Sequence, residues 1–539
     1  TAVSSVRPPA PTFYVPDPAS DPAPGPFATP ARAAALDWFR RAMDGGGADV
    51  PQSALGHGLF DTDDWRSAWR TYDPPGGDEH GSVSYACEVE GVLPAGLVGN
   101  LYRNGPGRFG VGGQRVAHVL DSDGLVVKFS FPGDGTCAFR SRFVLTKGYL
   151  ADTAAGVFTS RGTFGTAIRG LPDLFPPAAA GLDAEPEDVP ALSRIAGNAG
   201  VTAIKNTANT QVVAFGGRLL ALFEAGCPYE LDPATLETIG EVDLTGRMRP
   251  GALAVKIPGL PAAATPDFLG GSAHTAHPQV CPRTGRLVGW TWSQLPLTEE
   301  LEITLTEYEP GTFEEHSSAV RVVPDCALAP HDVAITEHCV VMIANALTMD
   351  TGKFLSGLTG PAAALSMDGR AAVTAHVFPR PGAARQFEPF QVAVPACFTI
   401  HWSHAYECPD TGHIVGYCSG WPASDSTDFL GDWGGLAPEF AGISPTYLWR
   451  LELDPATRTL VRFGVAPGGH NVCGEHPVVH PNFATRRARS TYVVASNVVG
   501  DASPPCGYVR IPTGADGDAG AAARVPGPGE VARADAHWA

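Results

Sequence analysis

The residues most able to do chemistry in this chain are its histidines, of which there are 16. Three lie in similar settings: His277 in SAHTAHPQVCP, His331 in APHDVAITEHCVVM and His401 in CFTIHWSHAYE. Each falls at a strand edge or turn in the residue pattern, and each is far from the other two in the chain. Neutral imidazoles can ligate a divalent ion and leave its full charge in place. Such a donor set suits Fe(II), Zn or Cu. A histidine in this setting is equally at home as a cap or a core residue, so the chemistry requires the three to meet in space. His274 and His404 each lie three residues from one of these histidines. On a strand an odd offset sends a side chain to the opposite face, so both are read as non-ligands.

The elements that would position them come from length and composition. A chain of 539 residues is several times an ordinary single-core domain. With 44% hydrophobic and 17% charged residues it is neither a disordered chain nor a coiled coil. It holds 63 Gly and 50 Pro, far above the usual share of about 12% for the two together. Short β-branched and aromatic runs, from VSYACEVEGVL to STYVVASNVV, are bounded by Gly, Pro, Asp or Asn, with no long helical pattern between them. The fold class is therefore all-β. YELDPATLETIGEVDL and YLWRLELDPATRTLVRF share a strand, an Asp-Pro-Ala-Thr turn and a second strand, which points to a repeated hairpin. Repeated hairpins suit a β-propeller, and a pair of stacked sandwiches satisfies the same pattern. In a propeller the innermost strand of each blade faces one axis, so one histidine per blade can converge on a central ion.

Charge and cysteine usage narrow the partners. The formal net charge of −19 argues against a nucleic-acid partner, whose binding rests on Lys and Arg at phosphates. No apolar run reaches the length of about 18 residues that a spanning helix needs. The 11 cysteines include no C-x-x-C pair and are expected as free thiols in a reducing compartment. The opening TAVSSVRPPAPT is Ser/Pro/Ala-rich with one Arg and no acid, which suggests a plastid leader, with the cytoplasm as the other address. Residues 1–50 are expected to form a Pro-rich arm and an amphipathic helix, residues 51–510 the propeller, and residues 511–539 an atypical tail. The apolar loops at 251–271 and 355–365 would either dip into a membrane or cap the core.

Several ordered segments resemble the motifs of the carotenoid cleavage oxygenases. They are NLYRNGPGRFGVGGQRVAHVLDSDGLVVKFSF (100–131), NTANTQVVAFGGRLLALFEAGCPYELDPATLETIG (206–240), the three histidine segments, and GEHPVVHPNFATRRARSTYVVAS (474–496). The resemblance covers roughly residues 55–510. It implies a seven-bladed propeller with a helical and loop cap over the axis and an apolar tunnel leading to an axial Fe(2+). It implies O2-dependent cleavage of one C=C bond of a carotenoid, apocarotenoid or stilbene into two carbonyl products, although some relatives isomerise and hydrolyse retinyl esters. His277, His331 and His401 would be metal ligands, and Glu224 and Glu475 would accept the outer N–H of ligand imidazoles.

The expected substrate is a carotenoid or apocarotenoid, an apolar conjugated molecule that reacts with O2. A catalytically impaired paralogue that binds an apolar ligand is the alternative. So is a stilbene-cleaving member: such relatives use a Lys and a Tyr to grip a phenol, Lys147 lies near the relevant region, and Tyr102 is shared too widely in the family to discriminate. A zinc hydrolase is disfavoured, because no H-E-x-x-H spacing occurs.

The sequence also departs from the family pattern. His476 stands where the family has Phe, and His480 where it has Asn. The usual third glutamate and the fourth His-Gly ligand are not found, so the last blade is expected to be incomplete. His537 is either a displaced ligand or a tail residue. His118 with its two aspartates is expected to bond turn backbone. His57, His80, His316, His338, His376, His413 and His470 are expected at the surface or in loops.

Overall fold

The computed structural model describes residues 70–514, apart from 165–194, 261–269, 423–445, 496–506 and shorter breaks. The expected N-terminal arm and helix, and residues 515–539 of the expected tail with His537, lie outside the described residues, as do His57 and His470, while the first residues of that tail complete the strand Gly507–Pro512.

Six antiparallel sheets of blade type follow one another along the chain. The first holds Val83–Ala86, Gly99–Arg108, Asp123–Phe131 and Ala138–Phe143. The second holds Gln211–Phe215, Arg218–Leu222, Tyr229–Leu231 and Thr238–Glu241. The third opens with two short pieces, Ala273–His274 and Gln279–Val280, and continues with Leu287–Leu295, Glu300–Tyr308 and Glu315–Val323. The fourth holds Ala334–Ile335, Cys339–Ala344, Val373–Pro379 and Phe390–Val394. The fifth holds Cys397–Glu407, Ile414–Pro422, Tyr447–Asp454 and Thr459–Val465. The sixth holds Gly474–Val478, Ser490–Ala495 and Gly507–Pro512. From the second sheet onward, order in space follows order in the chain, as in up-and-down blades.

Apolar layers lie between consecutive sheets, and residue alternation explains them. Leu219 and Ala221 pack with Val126 of the first sheet, while Leu220 and Leu222 pack with Leu287 and Tyr308 of the third. Val340 and Met342 join Val288, Trp290 and Leu301, while Val341 and Ile343 join Trp402, Ala405 and Leu451. Tyr406 and Tyr417 meet Val493 and Ile511 of the sixth sheet. A strand has period two, so a run that is apolar at every position buries both faces. Each inner sheet therefore has a neighbour on either side. That arrangement is a β-propeller and excludes the stacked-sandwich alternative, in which each sheet packs on one face.

The repeated hairpin is real. Asp232 Oδ1 accepts the N–H of Ala234 and Thr235 at 2.8 and 2.7 Å, and Asp454 Oδ1 accepts those of Ala456 and Thr457 at 2.8 and 3.4 Å. Both turns then place a non-glycine residue at positive φ, Leu236 at 63° and Arg458 at 58°. The ten described cysteines are free thiols. Among the described residues, no helix is long and apolar enough to cross a membrane.

Candidate metal centre

The three histidines stand on or beside the first strands of adjacent sheets. His277 sits in the break between Ala273–His274 and Gln279–Val280, which both pair with Leu287–Leu295. His331 lies just before Ala334–Ile335. His401 lies within Cys397–Glu407, where the register slips between Thr399 and Trp402 and again before His404. Such irregularities re-aim a side chain that regular pleating would point elsewhere.

Asp332 ties the three blades together, and sequence reading missed it. Its Oδ1 accepts the N–H of Val333 at 2.7 Å, and its Oδ2 accepts the N–H of Trp402, next to His401, at 2.8 Å. Gln279, two residues past His277, donates from Nε2 to the Val333 carbonyl at 2.6 Å and to Asp332 Oδ1 at 3.4 Å. Burial raises the Asp332 carboxyl to about 6, although both backbone N–H groups and the nearby imidazoles oppose that. The only signal in the sequence is the carboxylate directly after His331.

The rings converge. The Nε2 atoms of His277 and His331 are 2.8 Å apart, and those of His331 and His401 are 3.0 Å apart. Ring centroids lie 4.5, 4.8 and 5.0 Å from one another. All three donor nitrogens fall within 4.8 Å, a grouping that can hold a metal ion. Two neutral imidazole nitrogens facing each other this closely need a proton or a cation between their lone pairs.

Carboxylates set the tautomers of two rings. His331 Nδ1–H donates to Glu224 Oε2, and His401 Nδ1–H donates to Glu475 Oε2 at 2.7 Å. Each bond keeps the proton on Nδ1 and turns the Nε2 lone pair inward. Glu224 occupies the turn after Arg218–Leu222 rather than the strand itself, and Trp292 Nε1 donates to its carbonyl at 3.0 Å. Glu475 lies in Gly474–Val478, and its Oε1 accepts from Ser419 Oγ at 2.8 Å. Burial alone would raise both carboxyls. The facing imidazoles outweigh it, lowering Glu224 and holding Glu475 at about 2. Burial would lower His331, but the Glu224 carboxylate raises it, whereas burial with His331 and His401 beside it drives His277 well down.

The remaining histidines separate by role. His274 and His404 are buried away from the donor cluster, and burial lowers them to about 4 and about 3. His404 stacks on Tyr417 at 5.1 Å. His118 Nδ1 accepts the N–H of Leu120 at 3.2 Å, and Asp121 accepts that of Thr163 at 2.6 Å, both backbone bonds as expected. Asp123 departs from that expectation and pairs with Lys205 Nζ at 2.7 Å. His480 Nδ1 caps the 3-10 turn Pro481–Phe483 by accepting the N–H of Asn482 at 3.2 Å, a task an Asn performs equally well. His376 corrects the surface expectation: it is buried within Val373–Pro379. Lys147 is 76% exposed and paired with Glu241, and Tyr102 donates to the Pro233 carbonyl at 2.9 Å.

Comparison with known proteins agrees with this geometry. The family model described as "Retinal pigment epithelial membrane protein" matches residues 75–512. Apocarotenoid-15,15'-oxygenase of Synechocystis is 32% identical over 413 residues, covering 76% of this chain and 73% of the relative. Carotenoid cleavage dioxygenase 7, chloroplastic, of Oryza sativa is 31% identical over 355 residues, covering 59% of this chain and 53% of the relative. The crystal structure of cobalt-substituted Synechocystis apocarotenoid oxygenase superimposes with a TM-score of 0.67 at 28% identity, covering 84% of this chain and 82% of that one. Propeller, histidine cluster and these matches together make the chain a member of the family of the retinal pigment epithelial membrane protein and the carotenoid oxygenases.

Proposed function

We propose that this chain is a non-haem Fe(II) dioxygenase that cleaves one C=C bond of a carotenoid or apocarotenoid with O2 to give two carbonyl products. The observation that carries the reading is the meeting of His277, His331 and His401 at their Nε2 atoms, with Glu224 and Glu475 behind two of them.

Bound there, Fe(II) would supply the open-shell chemistry that lets O2 react with a closed-shell alkene. The protein's own work is positional. His277, His331 and His401 would hold the ion. Glu224 and Glu475 keep a proton on the outer nitrogen of their imidazoles, so that Nε2 stays a donor. The Synechocystis oxygenase that shares this fold has been crystallised in a cobalt-substituted form, which supports a divalent metal at the equivalent place here.

The seventh blade, the cap over the axis, a plastid address and monotopic membrane contact belong to the same proposal. Six blades and the helices Lys147–Ala155 and Thr351–Ser356 support the first two. Exposed Leu260, and exposed Leu355 near the end of the helix Thr351–Ser356, support the last. The stilbene alternative draws no support from Lys147, which is largely exposed and paired with Glu241.

The test is elemental analysis of the purified chain with oxygen uptake on a defined apocarotenal. Iron, O2 consumption matched to loss of the polyene absorbance, and two carbonyl products support the reading. Iron-free protein that binds the polyene without consuming O2 supports the impaired paralogue. Zinc without O2 consumption supports a hydrolase.

A further inference from the structure

His401 stands in a break of its own strand. In Cys397–Glu407 the pairing with Ile414–Pro422 runs to Thr399 opposite Gly420 and resumes with Trp402 opposite Cys418. Ile400 and His401 therefore face the single residue Ser419, which makes a β-bulge. Side chains alternate along a strand, so a bulge that slid by one residue would turn the His401 ring to the other face and away from His331. Bonds at the two ends of the bulge must fix its place. Cys397–Glu407 is the edge strand of its sheet, which leaves backbone groups at those ends open to side chains of the neighbouring blade.

The fourth blade supplies a bond at each end. After the bulge, Asp332 Oδ2 accepts the Trp402 N–H at 2.8 Å. Before it, Asn345 pairs with Thr399 as a strand residue would. Asn345 Oδ1 accepts the Thr399 N–H at 3.0 Å, and Asn345 Nδ2 donates to the Thr399 carbonyl at 3.0 Å. The Thr399 hydroxyl adds a bond to Oδ1 at 3.4 Å. Thr399 is buried, so both of its backbone groups need a partner. The two anchors flank the open end of one hairpin: Ala334–Ile335 pairs with Cys339–Ala344, Asp332 precedes the first strand, and Asn345 follows the second. His331 is the residue before Asp332. The segment that carries His331 therefore grips, on both sides, the bulge that carries His401. Between the anchors, Ser419 Oγ accepts the His401 N–H at 3.4 Å.

We propose that Asn345 is a positioning residue of the metal centre, which aims His401 by holding the Thr399 end of the bulge. The proposal rests on the metal-centre reading above. A side-chain amide suits the place, because it presents a donor and an acceptor side by side, as a peptide group does. An aspartate there would still accept the Thr399 N–H, but it would set a carboxylate oxygen against the Thr399 carbonyl. An alanine would leave both backbone groups without their partner.

The experiment uses the full chain loaded with Co(II). Affinity is measured by competition with a chelator, and the visible ligand-field bands of Co(II) report the geometry of the ligands. Asn345→Ala and Asn345→Asp are the variants. Asn104→Ala is the control. Asn104 Nδ2 also bridges blades, donating to the carbonyls of Ala208 and Gln211 at 2.8 and 3.1 Å, but it joins the first two blades, which carry none of the three histidines. Circular dichroism and Tm establish the fold of each variant. If Asn345→Ala does not fold, Asn345→Asp, which keeps the bond to the Thr399 N–H, carries the test.

If Asn345 aims His401, its folded variants lose metal affinity by about 10–100-fold, the usual cost of losing a group that orients a ligand, and their Co(II) bands shift. Asn104→Ala keeps the parental affinity and bands, whatever its Tm. A lowered Tm with parental affinity and bands in the Asn345 variants overturns the inference, makes the residue purely structural and leaves the three-histidine centre standing. An equal loss of affinity in Asn104→Ala also overturns it, since the effect would then be a general loosening of the blades. A parent chain that takes up no Co(II) overturns the centre itself, and the inference with it.

Discussion

The Nε2 atoms of His331 and His401 lie 3.0 Å apart although seventy residues separate them in the chain. The residue next to His331 explains the closeness. Asp332 accepts the backbone N–H of Trp402 from the neighbouring blade and so fixes the height of His401 against His331. Asp332→Asn retains the shape, but its amide end cannot accept that N–H together with the N–H of Val333. Metal affinity is expected to fall by about 10–100-fold, the usual cost of losing a group that positions a ligand. Chelator competition measures it, and an unchanged affinity would remove Asp332 from the site.

Glu224 and Glu475 act on different rings through the same device, a carboxylate on Nδ1. Glu224→Gln and Glu475→Gln each keep an acceptor and lose the charge. Each variant is expected to lower metal affinity or apocarotenal turnover by about 10–100-fold while leaving Tm close to that of the parent. A large fall in Tm without loss of metal would make these glutamates structural.

Away from the centre, Lys205 is buried between two carboxylates, with Nζ 2.7 Å from both Asp123 and Asp152 and Arg108 3.7 Å from Asp123. Lys205→Met removes the cation and leaves two buried carboxylates beside a single arginine. Breaking a buried pair from one side costs about 3–5 kcal/mol. Urea denaturation should report that loss as a lowered midpoint with the slope unchanged, and a loss below about 1 kcal/mol would show that water relieves the cluster.

Acid should destabilise the fold through its buried neutral histidines. Burial holds His404 at about 3, below the ordinary 6.5. The unfolded chain therefore binds a proton between those values and the folded chain does not. The stability contribution is complete above the ordinary value and is lost progressively as pH falls toward 3. His274 and His376, each at about 4, act in the same direction. His404→Phe keeps a ring against Tyr417 and removes one titrating site. Urea midpoints compared at about pH 7 and about pH 4.5 should fall less in that variant than in the parent. An equal fall in both would show that His404 is not among the groups responsible.

Much of this protein was legible in one dimension because the relevant physics is local. Alternation and turn chemistry fixed the all-β class. The Asp-Pro-Ala-Thr turns at Asp232 and Asp454 form the hairpins their residues specify, since an Asx turn is built by neighbours along the chain. Motif order singled out His277, His331, His401, Glu224 and Glu475. The odd strand offset set His274 and His404 aside, and both lie buried away from the donor cluster.

Other features depended on contacts between blades, which no local pattern encodes. Only the folded chain brings Asp332 to Trp402, buries His376 in a strand and sends Asp123 to Lys205. His476 shows the limit most clearly. Its residue type was visible as a departure from the family pattern, but its direction was set by a register slip and a left-handed φ of 49°. Strand periodicity predicts where a side chain points only while pairing is regular, and the histidine cluster is built where pairing is broken.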